Sequence, residues 1–385
     1  MKKITFPTLA FLIMTCCVSC TKTTTNTIYY TVPATYTFTN VNDSNQLMLL
    51  AMADQIVATV NLGNASGVVV NAQVLTDMFN NTGGYFNDSA HQLNASGLRL
   101  ADYCSPLAKT DLLNYFDSIG VYSQSIVAAS YGVAGVSPSS ASPSKKYLLS
   151  PTGIFYSQVI KKAIMGGICA YEIANVYMTD SVSNSVDNNT VVPGSGTAMQ
   201  HHWDEAFGFF GVPVNFPTST TGLKYFGSYS NQVDAGLHSN STIMNAFLLG
   251  RAAIDNKDLG GKQVQANIII RTFDQLDAAA IVQEMKETDE NINLGDSVAA
   301  YGTLSESLGF VRNLKYNTSS TRIITNAQIA QLEALYDNVN PANPNLYNFV
   351  GASVNTAAQI EAKTDAIRQL VGSIYGFNAT ELSLL

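Results

Sequence analysis

Ala198-Met199-Gln200-His201-His202-Trp203-Asp204-Glu205-Ala206-Phe207-Gly208-Phe209-Phe210-Gly211 holds two of the four histidines of the 385-residue chain and its only tryptophan. Read as a helix, it sets His202 and Glu205 three residues apart on one face, and His201 and Asp204 likewise. An imidazole beside a carboxylate is half of a metal site, or an acid–base pair. The same spacing also arises where two helices simply pack, so both readings stand at this point.

Outward from this stretch the chain reads as helices. Leu47, Leu50, Ala51, Ile56 and Val60 recur at helical spacing behind the capping pair Asp43-Ser44, and Gly63 closes that helix. Further helices are expected over residues 72–79, 105–119, 151–180, 241–256, 262–287, 296–314, 326–337 and 356–375. Pro151 suits a first turn, and Gly166-Gly167 inside that helix predicts close packing against a neighbour. Ile268, Ile269, Ile270, Phe273, Leu276 and Ile281 form a buried face. Residues 132–146, rich in Ser, Gly and Pro, read as a loop, as do 181–196 and 212–231. Few runs alternate with period two, so the class is all-α, in stacked helix bundles.

The N-terminus reads as an export leader. Met1-Lys2-Lys3 is basic, residues 4–14 are apolar but too short to span a bilayer, and Cys16-Cys17-Val18-Ser19-Cys20 follows. A small residue before a cysteine at the end of such a run resembles a bacterial lipobox. That resemblance implies a signal peptide over residues 1–19, lipidation at Cys20, a Thr-rich tether over 20–42 and a helical domain over 43–385. No other stretch is expected to approach a membrane span. Loss of Lys2 and Lys3 lowers the basic count from 20 to 18 against 28 acidic residues, a mature net charge of about −10. Such a chain repels nucleic acid and suits the handling of cations. Two cysteines, Cys104 and Cys169, remain beyond Cys20. They do not make a disulfide scaffold, and buried thiols are expected.

His202 and Glu205 offer a mixed nitrogen and oxygen donor set suited to iron, zinc or manganese. Two ligands are not a site. Glu306 is the first candidate for a distant partner; Glu172, Asp204 and His201 follow. His-Glu-x-x-His, Gly-x-Ser-x-Gly and the phosphate-binding glycine loop are absent. His91 and His238 lie in polar surroundings and read as exposed. Arg251 and Asp255, four residues apart, read as a surface ion pair, with a buried polar network behind the site as the other reading. Tyr225, Phe226 and Tyr229 read as part of a loop able to cover a pocket, or equally as plain packing.

His-Trp-Asp-Glu-Ala-Phe-Gly-Phe-Phe-Gly behind a lipoprotein leader resembles the imelysin-like family, in particular an exported lipoprotein branch of it. His202, Glu205 and Gly211 fit that family's Gly-x-His-x-x-Glu signature and its closing glycine, with Gln200 where the family has glycine. Ser305-Glu306-Ser307-Leu308-Gly309-Phe310 is similar to a second family block. The resemblance implies two helical bundles related by duplication, about 43–211 and 212–385. It also implies an outer-membrane lipoprotein, periplasmic or surface-facing, that binds a metal ion or a small ligand carrying one. Iron is the first expectation and zinc the second, in uptake with an envelope transport partner, with His202 and Glu205 as ligands. Two further readings are a glycan- or nutrient-binding surface lipoprotein and a metallopeptidase. No complete catalytic constellation is found in the chain, so a non-enzymatic role is favoured.

Overall fold

The computed structural model describes residues 30–87, 92–179, 185–351 and 355–385. The expected leader, Cys20, the first part of the expected tether and His91 lie outside the described residues. The fold is all-α, as expected, with one short hairpin; the expected duplication is not shown by it.

Its spine is a 35-residue helix, α8 (Leu259–Asn293), numbered by its place in the chain. Ile269, Ile270, Phe273, Leu276 and Ile281 are buried along it. Packed on it are α6 (Tyr225–Leu237), α7 (Ser239–Asp255), α9 (Ser297–Asn313) and α12 (Ala357–Tyr375). The first half supplies α1 (Ser44–Asn61), α2 (Ala72–Phe79), α3 (Pro106–Tyr122), α4 (Tyr156–Ile164) and α5 (Ala198–Phe210). The remaining helices are α10 (Asn326–Tyr336), α11 (Tyr347–Val350) and α13 (Ala379–Leu384). α4 lies against α9, and α5 against α1 and α7. The buried apolar side chains of both halves form one cluster. Helix starts follow local chemistry: Thr197 with Gln200, Thr325 with Gln328, Thr356 with Gln359 and Asn378 with Glu381 each close a capping box.

Several expectations are corrected. Leu47 does not join the buried stripe of α1; it is about half exposed, while Leu49, Met52, Ile56 and Val60 face the core. The segment Ser44–Asn64 is long and apolar enough by length and composition to cross a bilayer, at a mean hydropathy of 1.2. It is nevertheless a core-packed helix here, and such helices pass the same test.

The stretch read as a loop at 132–146 contains β1 (Gly135–Pro138), which pairs antiparallel with β2 (Lys146–Leu149). Leu148 and Leu149 are buried, which anchors a hairpin too short to show a period. A side chain at Gly135 would collide with the Val127 carbonyl.

Helix α4 starts at Tyr156, not at Pro151. Pro151 lies in a turn closed by Ser150 N–H donating to the Ile154 carbonyl at 2.9 Å. Beyond Ile164 the helix widens into two π segments, Met165–Ala170 and Glu172–Tyr177. Gly166 and Gly167 do mark close packing: a Cβ on the first would strike Asn313 of α9, and on the second Ala108 of α3. Tyr225, Phe226 and Tyr229 are helical and buried in α6 rather than part of a covering loop.

Candidate functional site

Helix α5 is fixed at both ends. Gln200 Oε1 accepts from Thr197 N–H at 2.7 Å, and Gln200 Nε2 donates to Asp255 Oδ1 at 2.6 Å. Gln200 is thus the reciprocal half of the capping box, a task glycine cannot perform. At the other end Gly211 sits in the left-handed region at φ 74° and stops the helix.

One side of α5 is structural. Trp203 is buried and its Nε1 donates to the Phe247 carbonyl at 2.9 Å. Gly250 leaves the room its ring occupies. Asp204 turns away from His201 altogether. Its Oδ1 accepts from the Tyr36 hydroxyl at 2.7 Å and from Arg251 Nε at 3.0 Å. Burial pushes its carboxyl up to about 7, against the Arg251 charge. Arg251 also donates to Asp255 and to the Thr39 carbonyl, and its guanidinium lies over the Phe38 ring at 5.2 Å. Of the two readings of Arg251 and Asp255, the surface pair gives way to a buried polar network: Arg251 is fully buried and pairs with both Asp204 and Asp255. The sequence spacing showed the Asp255 contact but carried no sign of Asp204 or Tyr36.

The other side of α5 carries the candidate chemistry. Glu205 Oε1 accepts from Gln46 Nε2 of α1 at 3.0 Å and lies 3.8 Å from Nε2 of His201. The imidazole nearest Glu205 is therefore the one four residues back, not three. His202 turns its ring to the edge of Tyr177 at 5.7 Å between centroids. Burial lowers its pKa, with the Glu205 charge opposing, and favours the neutral imidazole that a metal ligand requires. The Nδ1 atoms of both histidines are buried and have no hydrogen-bond partner. Such groups cost free energy unless something meets them.

Glu172, on the second π segment, completes this face. Burial pushes its carboxyl up to about 8; the Tyr177 hydroxyl opposes that rise and the Glu205 charge adds to it. Burial also raises the Tyr103 and Tyr177 hydroxyls, with Glu205 and Glu172 adding to both. Single π turns inside α-helices are frequent at functional sites. Gln46, Tyr103 and Tyr177 were not legible from the sequence. The one available signal was Gly208, three residues past Glu205, where a Cβ would lie 2.7 Å from Cβ of Gln46.

Glu306 is not brought to this face. Its Oε1 lies 2.6 Å from Lys162 Nζ of α4 and accepts from the Tyr229 hydroxyl at 2.5 Å. Burial works to raise the Glu306 carboxyl, but the Lys162 ammonium overrides it and holds the carboxyl below its ordinary range. Lys162 has no exposed side-chain surface, so it needs a counter-charge, and Glu306 serves as one. Among the described residues no group of three or more His, Cys, Asp or Glu side chains is placed to hold a metal ion. As a shell made wholly by this chain, His202, Glu205 and Glu306 do not fit a metal. Cys104 and Cys169 are buried free thiols; burial pushes the first up to about 12 and raises the second further. His238 is exposed at the junction of α6 and α7.

An all-α scaffold with a histidine–carboxylate face on α5, backed by a buried Arg251–Asp204 pair, is the class of protein defined so far. Residues 33–340 match the family described as Domain of unknown function (DUF4856), and the chain belongs to that family. No curated protein and no solved structure matches it.

Proposed function

We propose that the protein is an exported lipoprotein of the cell envelope, held in the outer membrane through Cys20. On this reading it binds iron at the face formed by His202, Glu205 and Glu172 as a step in uptake. The observation that carries the reading is the buried, unpartnered Nδ1 of a neutral His202 on the same face as the carboxyl groups of Glu205 and Glu172; Glu172, pushed up to about 8 by burial, would release its proton on meeting the ion. Because the described residues do not close a shell of three donors, the ion arrives with ligands of its own, in a small carrier or as water. The imelysin-like resemblance of the α5 motif supports the same reading, as an analogy between families.

The test is the metal content of the soluble chain starting after Cys20, purified without chelator and then incubated with ferrous iron, ferric iron and ferric citrate. His202→Ala/Glu205→Ala and Glu172→Gln variants run beside it. Iron bound at about one ion per chain and lost in the double variant supports the site. No iron in the wild type under any of the three conditions overturns it, and the two residues are then a structural pair.

A further inference from the structure

A second cleft lies away from the histidine face. It is about 340 Å³ in volume, between the hairpin, α4, α8 and the start of α9. Its outer wall is the Ser- and Pro-rich turn between β1 and β2, and that wall is pinned. Ser139 Oγ donates to Asp296, Ala141 N–H donates to Asp296 Oδ2 at 3.0 Å, and Ser140 Oγ donates to the Gly295 carbonyl at 3.1 Å. Asp296 is also the N-cap of α9, accepting from Ala299 N–H at 3.0 Å. One carboxylate thus holds the wall to the helix that forms the floor.

The lining is mixed. Tyr147 lies against α9 because Gly302 has no side chain; a Cβ there would be 2.7 Å from Cε1 of the tyrosine. Glu306, an ionised acceptor fixed by Lys162, lies on the floor. Gln158 has its Oε1 engaged by Lys162 Nζ at 3.3 Å, which leaves its amide N–H groups as donors. Glu287, Asn291 and Lys145 add acceptors and donors at the sides. An aromatic ring, three carboxylates (Glu287, Glu306 and the wall-holding Asp296), two amides and one ammonium around a volume at the small end of ligand pockets suit a ligand with an apolar C–H face and a rim of hydroxyls.

The geometry points to a binding site for a neutral, monosaccharide-sized polyol in this cleft, independent of the histidine face. Tyr147 takes the C–H face of the ring, and Glu287, Glu306, Gln158 and Asn291 take its hydroxyls. Nothing is transformed; the site binds.

The experiment is calorimetric titration of the soluble chain after Cys20 with glucose, galactose, mannose, N-acetylglucosamine and myo-inositol. Tyr147→Ala, Glu287→Gln and His202→Ala variants, each checked for native helicity, are titrated in parallel. Saturable binding of at least one sugar is expected, weakened about tenfold or more by each cleft substitution, the scale of one lost hydrogen bond to a charged group. His202→Ala leaves it unchanged. Absence of saturable binding across the panel overturns the proposal, as does binding that both cleft variants retain in full. Loss of iron binding in His202→Ala concerns only the other face, so the two readings fail separately.

Discussion

Arg251 Nε donates to Asp204 Oδ1 at 3.0 Å, and neither side chain has any exposed surface. Removing one member of such a pair leaves the other charge in a medium that solvates it poorly, which costs about 3–5 kcal/mol. Asp204→Ala is expected at the lower end of that range, because Asp255 still meets Arg251. Asp204→Asn, which keeps an acceptor for Tyr36 and Arg251, is expected to lose less. Urea denaturation followed by circular dichroism checks both; equal midpoints for wild type and Asp204→Ala would sink the argument.

Gly250 and Trp203 form a second close relationship. The indole occupies the space that any Cβ at position 250 would need. Gly250→Ala is therefore expected to displace the ring and destabilise the fold by about 1–3 kcal/mol, the range for overpacking. Trp203 is the only tryptophan, so its fluorescence reports the displacement directly. Emission should move to longer wavelength as the indole meets water. An unchanged spectrum with unchanged stability would contradict the packing described.

Glu172 predicts a pH dependence of known sign. Its carboxyl titrates at about 8 in the fold, against an ordinary value of 4.5. Between those values the folded chain keeps a proton that the unfolded chain releases, so the contribution of this group to stability falls as pH rises from about 4.5 to about 8. His202 works in the opposite sense. Its folded value is lowered from 6.5, so its contribution rises as pH increases through that region. Glu172→Gln should make the fall in stability between about pH 4.5 and 8 shallower without abolishing it, because Asp204, raised to about 7, and Asp274, raised to about 6, act in the same sense. The check is midpoint denaturant concentration against pH for the two proteins; parallel curves would refute it.

Lys162 and Glu306 give a prediction that separates a structural carboxylate from a metal ligand. Glu306→Ala leaves a lysine with no exposed side-chain surface and no charge partner at hydrogen-bond distance, and should cost about 3–5 kcal/mol with or without iron. Replacing the unit together, as Lys162→Met, Glu306→Leu and Tyr229→Phe, should restore most of that loss, because well-packed apolar side chains match or exceed a buried ion pair. Thermal melts of the single and triple variants decide it. A Glu306→Ala protein that is destabilised only when iron is present would return Glu306 to the list of ligands.

Where a helix announces itself by caps and a single apolar face, the sequence reading placed it closely. Residues 72–79 and the Thr356-capped helix α12 are examples. It failed where tertiary packing overrides local signal. Tyr225–Leu237 carries turn-like residues before and within it, yet buries Tyr225, Phe226, Tyr229 and Val233. The hairpin strands are four residues each, too short for a period to show. At the site, His202 and Glu205 were legible because they lie within one turn of each other. Gln46, Tyr103 and Tyr177 reach the same face from other elements, and a linear pattern carries no trace of such convergence. Glu306 looked like a partner because Ser305-Glu306-Ser307-Leu308-Gly309-Phe310 is similar to a second block of the imelysin-like family; the buried lysine that claims it is 144 positions away.

The widened helix after Ile164 bears on how this chain can vary. Lys162 looks toward α9 and Glu172 toward α5, so one continuous rod serves two neighbours through a change of pitch between them. Each residue of an α-helix advances the facing by about 100°. A single deletion within residues 165–171 would therefore rotate Glu172 and Tyr177 off the histidine face while leaving Lys162 in place. Length in this short run is therefore constrained together with Gly166 and Gly167, because one residue lost there would also turn the buried Met165, Ile168, Cys169 and Ile173 away from their present neighbours.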